Sequence, residues 1–199
     1  MKNLDYMIRN KKELRYYLLK DGKNFQSVIS NGIFDMLKKH VLRCFFIQPA
    51  NDQKYIWAYI YALRHAEYAS NTNKRFVKAF WLWKLRKLSY KLGYQIPLNV
   101  FDKGLTIFHW GSIIVNANAK VGENCMLQPQ ITIGQKRDGE APVIGRNCYI
   151  GSGARIIGKI SVGDNVTVAP NAIVTKSVPD NCIVGGVNKI LKFKENETE

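Results

Sequence analysis

Six β-branched residues, Ile144, Ile150, Ile156, Val162, Val168 and Val174, recur at six-residue steps in the second half of the chain. A second column follows four places behind each: Cys148, Ala154, Ile160, Val166, Ala172 and Val178. Ile, Leu and Val make up 49 of the 199 residues. Six consecutive hits then arise by chance about once in 4,000 trials at a given start. The period excludes a helix and is too regular for loops, so it predicts a hexapeptide solenoid.

The period has a geometric meaning. Each hexad supplies one short strand and one turn, and three hexads close a triangular coil. Glycine or alanine after the first column (Gly145, Gly151, Gly163, Ala169) tolerates the tight backbone there. Coils stack at strand spacing, roughly 4.8 Å, over a continuous aliphatic ladder. The register runs back through Ile133, Leu127, Val121 and Val115 to position 109. Ile133 and Ile144 are eleven apart, which places a polar inserted loop at residues 135–143.

Residues 1–94 lack the hexad register and repeat apolar residues at three- and four-residue steps. Helices are expected over 3–19, 25–40, 53–70 and 74–91. The predicted fold class is α+β: an α-helical N-terminal domain (1–94), a left-handed parallel β-helix (95–190) and a polar C-terminal tail (191–199). Charge follows the same division. Residues 1–94 carry 19 Lys and Arg against 6 Asp and Glu, and so account for +13 of the chain's +15. Such a field attracts anionic surfaces or phosphorylated ligands. The basic aromatic segment 74–91 could lie on an anionic bilayer or pack on the solenoid. No nucleic-acid motif accompanies the charge, and nucleic acid is not an expected partner. The N-terminus lacks the apolar core of an export signal and no run reaches membrane-spanning length, so a cytoplasmic protein is expected, with the inner membrane face as a possible station. Cys125 and Cys148 fall in the inward second column and read as structural thiols.

Three histidines are present, His40, His65 and His109. His40 and His65 read as ordinary residues of the helical half. His109 stands at a first-column position, where a polar ring inside the ladder would be costly. It is therefore expected to face outward at a coil edge.

The segments GLTIFHWGSIIVNANAKVGENCMLQPQITIG, VIGRNCYIGSGARIIGKISVGDNVTVAPNAIVTKSVPDN and IVGGVNKILK appear in that order. Through them residues 94–190 resemble the hexapeptide-repeat acyltransferases, in the serine acetyltransferase-like branch that includes capsule and colanic-acid polysaccharide O-acetyltransferases. The resemblance implies a homotrimer that transfers acetyl from acetyl-CoA to a hydroxyl, without a metal. It places His109 as general base. It also implies coenzyme contacts at Gly151, Ser152, Ala169, Pro170, Thr175, Lys176 and Lys189. Tyr94 stands where serine acetyltransferases have an aspartate partner for the histidine, and Asp102 is a substitute candidate for orienting the ring. Glu140-Ala141 stands where those enzymes have an Arg-His pair, and a carboxylate there would repel serine. The expected acceptor is therefore a sugar hydroxyl of a surface polysaccharide or its precursor, with Trp110 packing on the ring or at the trimer interface. The alternative acceptor is serine, in cysteine biosynthesis.

Overall fold

A computed structural model describes residues 6–25, 52–137 and 139–194. The helix expected over 25–40 lies outside these residues, apart from Phe25. Helix α1 spans Lys11–Gly22, followed by a 3-10 turn at Lys23–Phe25. Helices α2 (Asp52–Asn71) and α3 (Arg75–Leu92) agree with the expected 53–70 and 74–91 to within two residues. The first helix begins later than expected because Asn10 caps it: the Asn10 side-chain oxygen accepts from Glu13 N–H at 2.9 Å, and the Glu13 carboxylate accepts from Arg9 N–H at 2.6 Å.

The second half is a three-sided parallel β-helix. One face carries β1 (Tyr94–Gln95), β3 (Ile113–Val115), β6 (Ile131–Gly134), β9 (Arg155–Ile157) and β12 (Ile173–Val174). A second carries β4 (Lys120–Val121), β7 (Val143–Ile144) and β10 (Ser161–Val162). The third carries β2 (Thr106–Ile107), β5 (Met126–Leu127), β8 (Tyr149–Ile150), β11 (Thr167–Val168) and β13 (Cys182–Gly185). The antiparallel strand β14 (Lys189–Phe193) closes its end, so ordered sheet continues into the tail expected from residue 191. At the other end Tyr94 pairs with Ile113, which brings the last residue of the expected helical domain into the solenoid.

Both predicted columns are buried, from Val115 to Val174 in the first and from Cys148 to Val178 in the second. The turns add a device that the aliphatic columns do not reveal. Asn124, Asn147, Asn165 and Asn181 adopt left-handed backbone angles at one corner, which Asn tolerates. Their side-chain amides stack as a hydrogen-bonded ladder at 3.1, 3.0 and 2.8 Å. Each corner amide thus finds its partner one coil away.

A buried cation lies at the centre of the junction between the helices and the solenoid. Arg64 on α2 has no solvent exposure and donates to Asp21 of α1 at 2.7 Å and to Glu67 at 3.0 Å. It also donates to the carbonyls of Phe101 and Asp102 in the first coil at 2.8 and 2.7 Å. Asp21 in turn accepts from Gly104 and Leu105 N–H at 2.6 and 2.9 Å. Burial opposes the charge on Arg64, but the two carboxylates outweigh it and hold the guanidinium ionised. Removing this cation strands two buried carboxylates. Arg64→Ala should lower stability by about 3–5 kcal/mol in denaturant unfolding, and Arg64→Lys should recover little of it because an ammonium cannot reproduce the fork.

Candidate functional site

The corner between β2 and β3 departs from the regular coil. Ile144 and its partner Val162 are eighteen residues apart, three hexads, whereas Ile107 and its partner Leu127 are twenty apart. Val115 and its partner Ile133 are again eighteen apart, so the two additional residues lie between Ile107 and Val115. The inward column therefore passes through Ile107, which is fully buried, and not through position 109 as the unbroken hexad count implied. His109 and Trp110 are extruded onto a widened, exposed corner. The imidazole is solvent-facing because the coil is too long there to keep it inside.

The corner is held from below by the helical half. The Tyr94 hydroxyl donates to the His109 carbonyl at 2.8 Å, and the Gln53 side-chain amide donates to the Phe108 carbonyl at 2.6 Å. Gly111 and Ile113 N–H donate to the carbonyls of Leu92 and Gly93 at 2.9 and 3.1 Å. Gly93 ends α3 with φ 78°, a left-handed conformation that strains other residues, and a Cβ there would sit tightly, 3.3 Å from the Gly111 carbonyl carbon. Burial, with Tyr59 and Asp52 nearby, pushes the Tyr94 phenol up, which keeps it protonated and donating.

Four of the predicted coenzyme residues share the His109 corner. Strand pairing sets Ile107, Leu127, Ile150 and Val168 side by side, so Gly151-Ser152 and Ala169-Pro170 stand two and three coils beyond His109. Three coil steps span roughly 14 Å. Gly151 also has a packing role, since a Cβ there would lie 2.6 Å from Pro170 N. The Ser152 hydroxyl donates to the Pro129 carbonyl at 3.1 Å. Thr175 and Lys176 lie instead on the next corner, after β12, where their N–H groups donate to the Asn188 side chain at 2.6 and 3.1 Å. Lys189 opens β14 opposite Gly185, at the far end of the His109 corner. Beside the near end, a groove of about 1060 Å³ runs between α3 and the β1–β3 edge, lined by Trp83, Arg86, Tyr90, Gln95, Ser112 and Ile114.

Two expectations about polar residues change. The Asp102 carboxylate accepts from the Tyr17 hydroxyl at 2.8 Å and from Lys103 N–H at 2.7 Å, and strand β2 lies between it and the His109 corner, so its described partners belong to the cap and not to His109. Glu140, read as repelling a carboxylate, is paired with Lys159 of the following coil at 2.7 Å. Both side chains are exposed, so the pairing offsets the Glu140 charge only in part and weakens the charge argument against serine. Of the other histidines, His40 lies outside the described residues. His65 is stacked between Tyr61 and Trp81 at 4.1 and 4.4 Å, and burial lowers its pKa, which marks a packed neutral ring. Among the described residues no group of three or more His, Cys, Asp or Glu side chains is placed to hold a metal ion.

Sequence reasoning missed Gln53, for which helix periodicity offers no signal. It noted Tyr94 only as a departure. The available signal was the spacing itself, since Ile107 to Val115 is eight residues where the hexad repeat requires six.

Comparison with known proteins agrees with this architecture. Residues 141–176 match the family described as "Bacterial transferase hexapeptide (six repeats)". The serine acetyltransferase of Synechococcus elongatus is 31% identical over 88 residues, covering 43% of this chain and 36% of that relative. That of Staphylococcus epidermidis is 28% identical over 136 residues, covering 66% of this chain and 61% of the relative. The chain thus spans between about one third and three fifths of the length of these two relatives. The crystal structure of Brucella abortus serine acetyltransferase in complex with coenzyme A superposes with a TM-score of 0.62 at 22% identity, covering 93% of this chain and 70% of that one. These names overturn the expectation of a polysaccharide acceptor and favour the serine alternative: the relatives and structural neighbours are serine acetyltransferases. Residues 141–176 match the hexapeptide repeat of the bacterial transferases, and the described residues share the fold of the serine acetyltransferases.

Proposed function

We propose that this chain is an acyltransferase that acetylates the hydroxyl of L-serine with acetyl-CoA as donor. The observation that carries the reading is His109 on a widened, solvent-facing corner, in line with the Ser152 and Ala169 edges. In this reading the pantetheine arm lies along that stacked corner with its thioester beside the imidazole. Neutral His109 takes the proton from the serine hydroxyl as the oxygen attacks the thioester carbonyl. The C–S bond then breaks, and the imidazolium returns its proton to the departing thiolate. Glu140, its charge offset in part by Lys159, opposes the amino-acid carboxylate only weakly, and Lys136 and Arg137 are exposed cations on the same loop. The working assembly is a homotrimer with the sites between adjacent solenoids. Trp110, 61% exposed beside His109, is read as packing against the neighbouring subunit.

With acetyl-CoA, the purified protein should release free thiol when L-serine is added and none with neutral monosaccharides. His109→Ala should lower the turnover with serine by about 10²–10⁴-fold. Thiol release that requires a sugar, or that survives loss of the imidazole, would overturn the reading.

We further propose that α3 holds the protein against an anionic lipid surface. Phe76, Phe80, Trp83 and Tyr90 are all exposed. Their spacings of four, three and seven residues place them within one arc of roughly 80°. That arc is opposite Leu85 and Leu92, the two buried residues of the helix. Lys84, Arg86 and Lys91 flank the aromatic stripe, Lys87 lies within it with its ammonium 4.0 Å from the Trp83 ring centre, and the helix contains no acidic residue. This arrangement suits a helix lying in the headgroup plane, with rings inserted and cations on phosphates. No described helix is long and apolar enough to cross a membrane. The protein should sediment with vesicles containing phosphatidylglycerol but not with pure phosphatidylcholine. The double substitution Phe80→Ser and Trp83→Ser should abolish this. If that variant instead breaks the trimer and leaves sedimentation intact, the stripe belongs to a subunit interface.

A further inference from the structure

The first coil of a solenoid has no coil beneath it, so strand carbonyls facing that side need other donors. One coil on, the carbonyl equivalent to that of His109 turns the other way, to the following coil. The Pro129 carbonyl, two places after Leu127, accepts both Gly153 N–H at 3.1 Å and the Ser152 hydroxyl at 3.1 Å. At the first coil the carbonyls of Phe108 and His109 accept instead from two side chains on the helical side: Gln53 on the first turn of α2, and Tyr94 of β1, two residues after α3 ends. Both bonds fall on consecutive residues, Phe108 and His109, within the widened corner. Tyr94 is 2% exposed and its ring packs edge-on against Tyr59 at 5.0 Å, so its hydroxyl is placed by the helical core.

From this geometry we infer that Gln53 and Tyr94 are positioning residues for His109, acting through the main-chain carbonyls of its corner and not through the ring. The inference rests on the proposed role of His109 as base. A corner lengthened by two residues is free to shift, and proton abstraction requires hydrogen-bond reach to the attacking hydroxyl. Two side-chain donors on consecutive carbonyls remove that freedom. The helical half then fixes the orientation of the base, which gives the serine reaction a reason to depend on residues that touch neither substrate.

The test compares Gln53→Ala and Tyr94→Phe with Tyr6→Phe, in the full chain. Tyr6→Phe is the control, since it removes a buried hydroxyl that has no hydrogen-bond partner among the described residues. The readouts are kcat and KM with acetyl-CoA and serine, and the NMR signals of the His109 ring, identified by their loss in His109→Ala. Gln53→Ala and Tyr94→Phe should each lower kcat about tenfold or more with KM for acetyl-CoA unchanged. Each should also shift or broaden the His109 ring signals while leaving those of His65 in place. Tyr6→Phe should do neither. Unchanged kcat and ring signals in both variants would overturn the positioning role while leaving His109 as base intact. Shifted ring signals in a protein whose wild type does not acetylate serine would support the positioning role and overturn the proposed reaction.

Discussion

The structure depends on a buried arginine. Arg64 draws together Asp21 of α1, Glu67 of its own helix and two carbonyls of the first coil, with no exposure to solvent. A β-helix needs a cap at each end, because its terminal coil presents unpaired backbone groups. Here the cap is polar at its centre and aromatic at its margin, where the Tyr17 ring lies 4.9 Å from the guanidinium and its hydroxyl reaches Asp102. A purely apolar cap would exclude water equally well, but it would not supply donors to the carbonyls of Phe101 and Asp102. The charges are retained because each also satisfies the backbone.

The same cap sets the geometry of the candidate site. The end of α3, Tyr94 and Gln53 take the place of a missing coil beneath the His109 corner. The corner is long enough to expose the imidazole and is tied closely enough to fix it. Asp102 is one strand away, but its carboxylate is engaged by Tyr17 and Lys103 as part of the cap. Proximity in sequence suggested a partner for the histidine, and the hydrogen-bond ledger assigns it to the helices instead.

Much of this was legible before any coordinates. The hexad columns foretold which residues would be inward, because only one backbone path repeats every six residues with a buried column, and Val115 through Val174 are all inside. Helices α2 and α3 were legible for the equivalent reason at period 3.6. The hexad count failed at position 109, where two added residues break the register without leaving a gap as obvious as the inserted loop. The acceptor was misjudged for a related reason. Glu140 carries one negative charge in the sequence, and its effect depends on Lys159, nineteen residues away and one coil up.

Sequence alone determined the repeating unit, the buried columns, the basic helical half and the one histidine in the solenoid half, since each is a matter of residue type at a period. Tertiary structure decided which polar groups meet: Arg64 with Asp21, Glu140 with Lys159, Tyr94 and Gln53 with the carbonyls of the His109 corner. Hydrogen bonds and ion pairs act over about 3 Å. Partners brought that close by the stacking of coils and helices have no fixed spacing along the chain, so no period announces them.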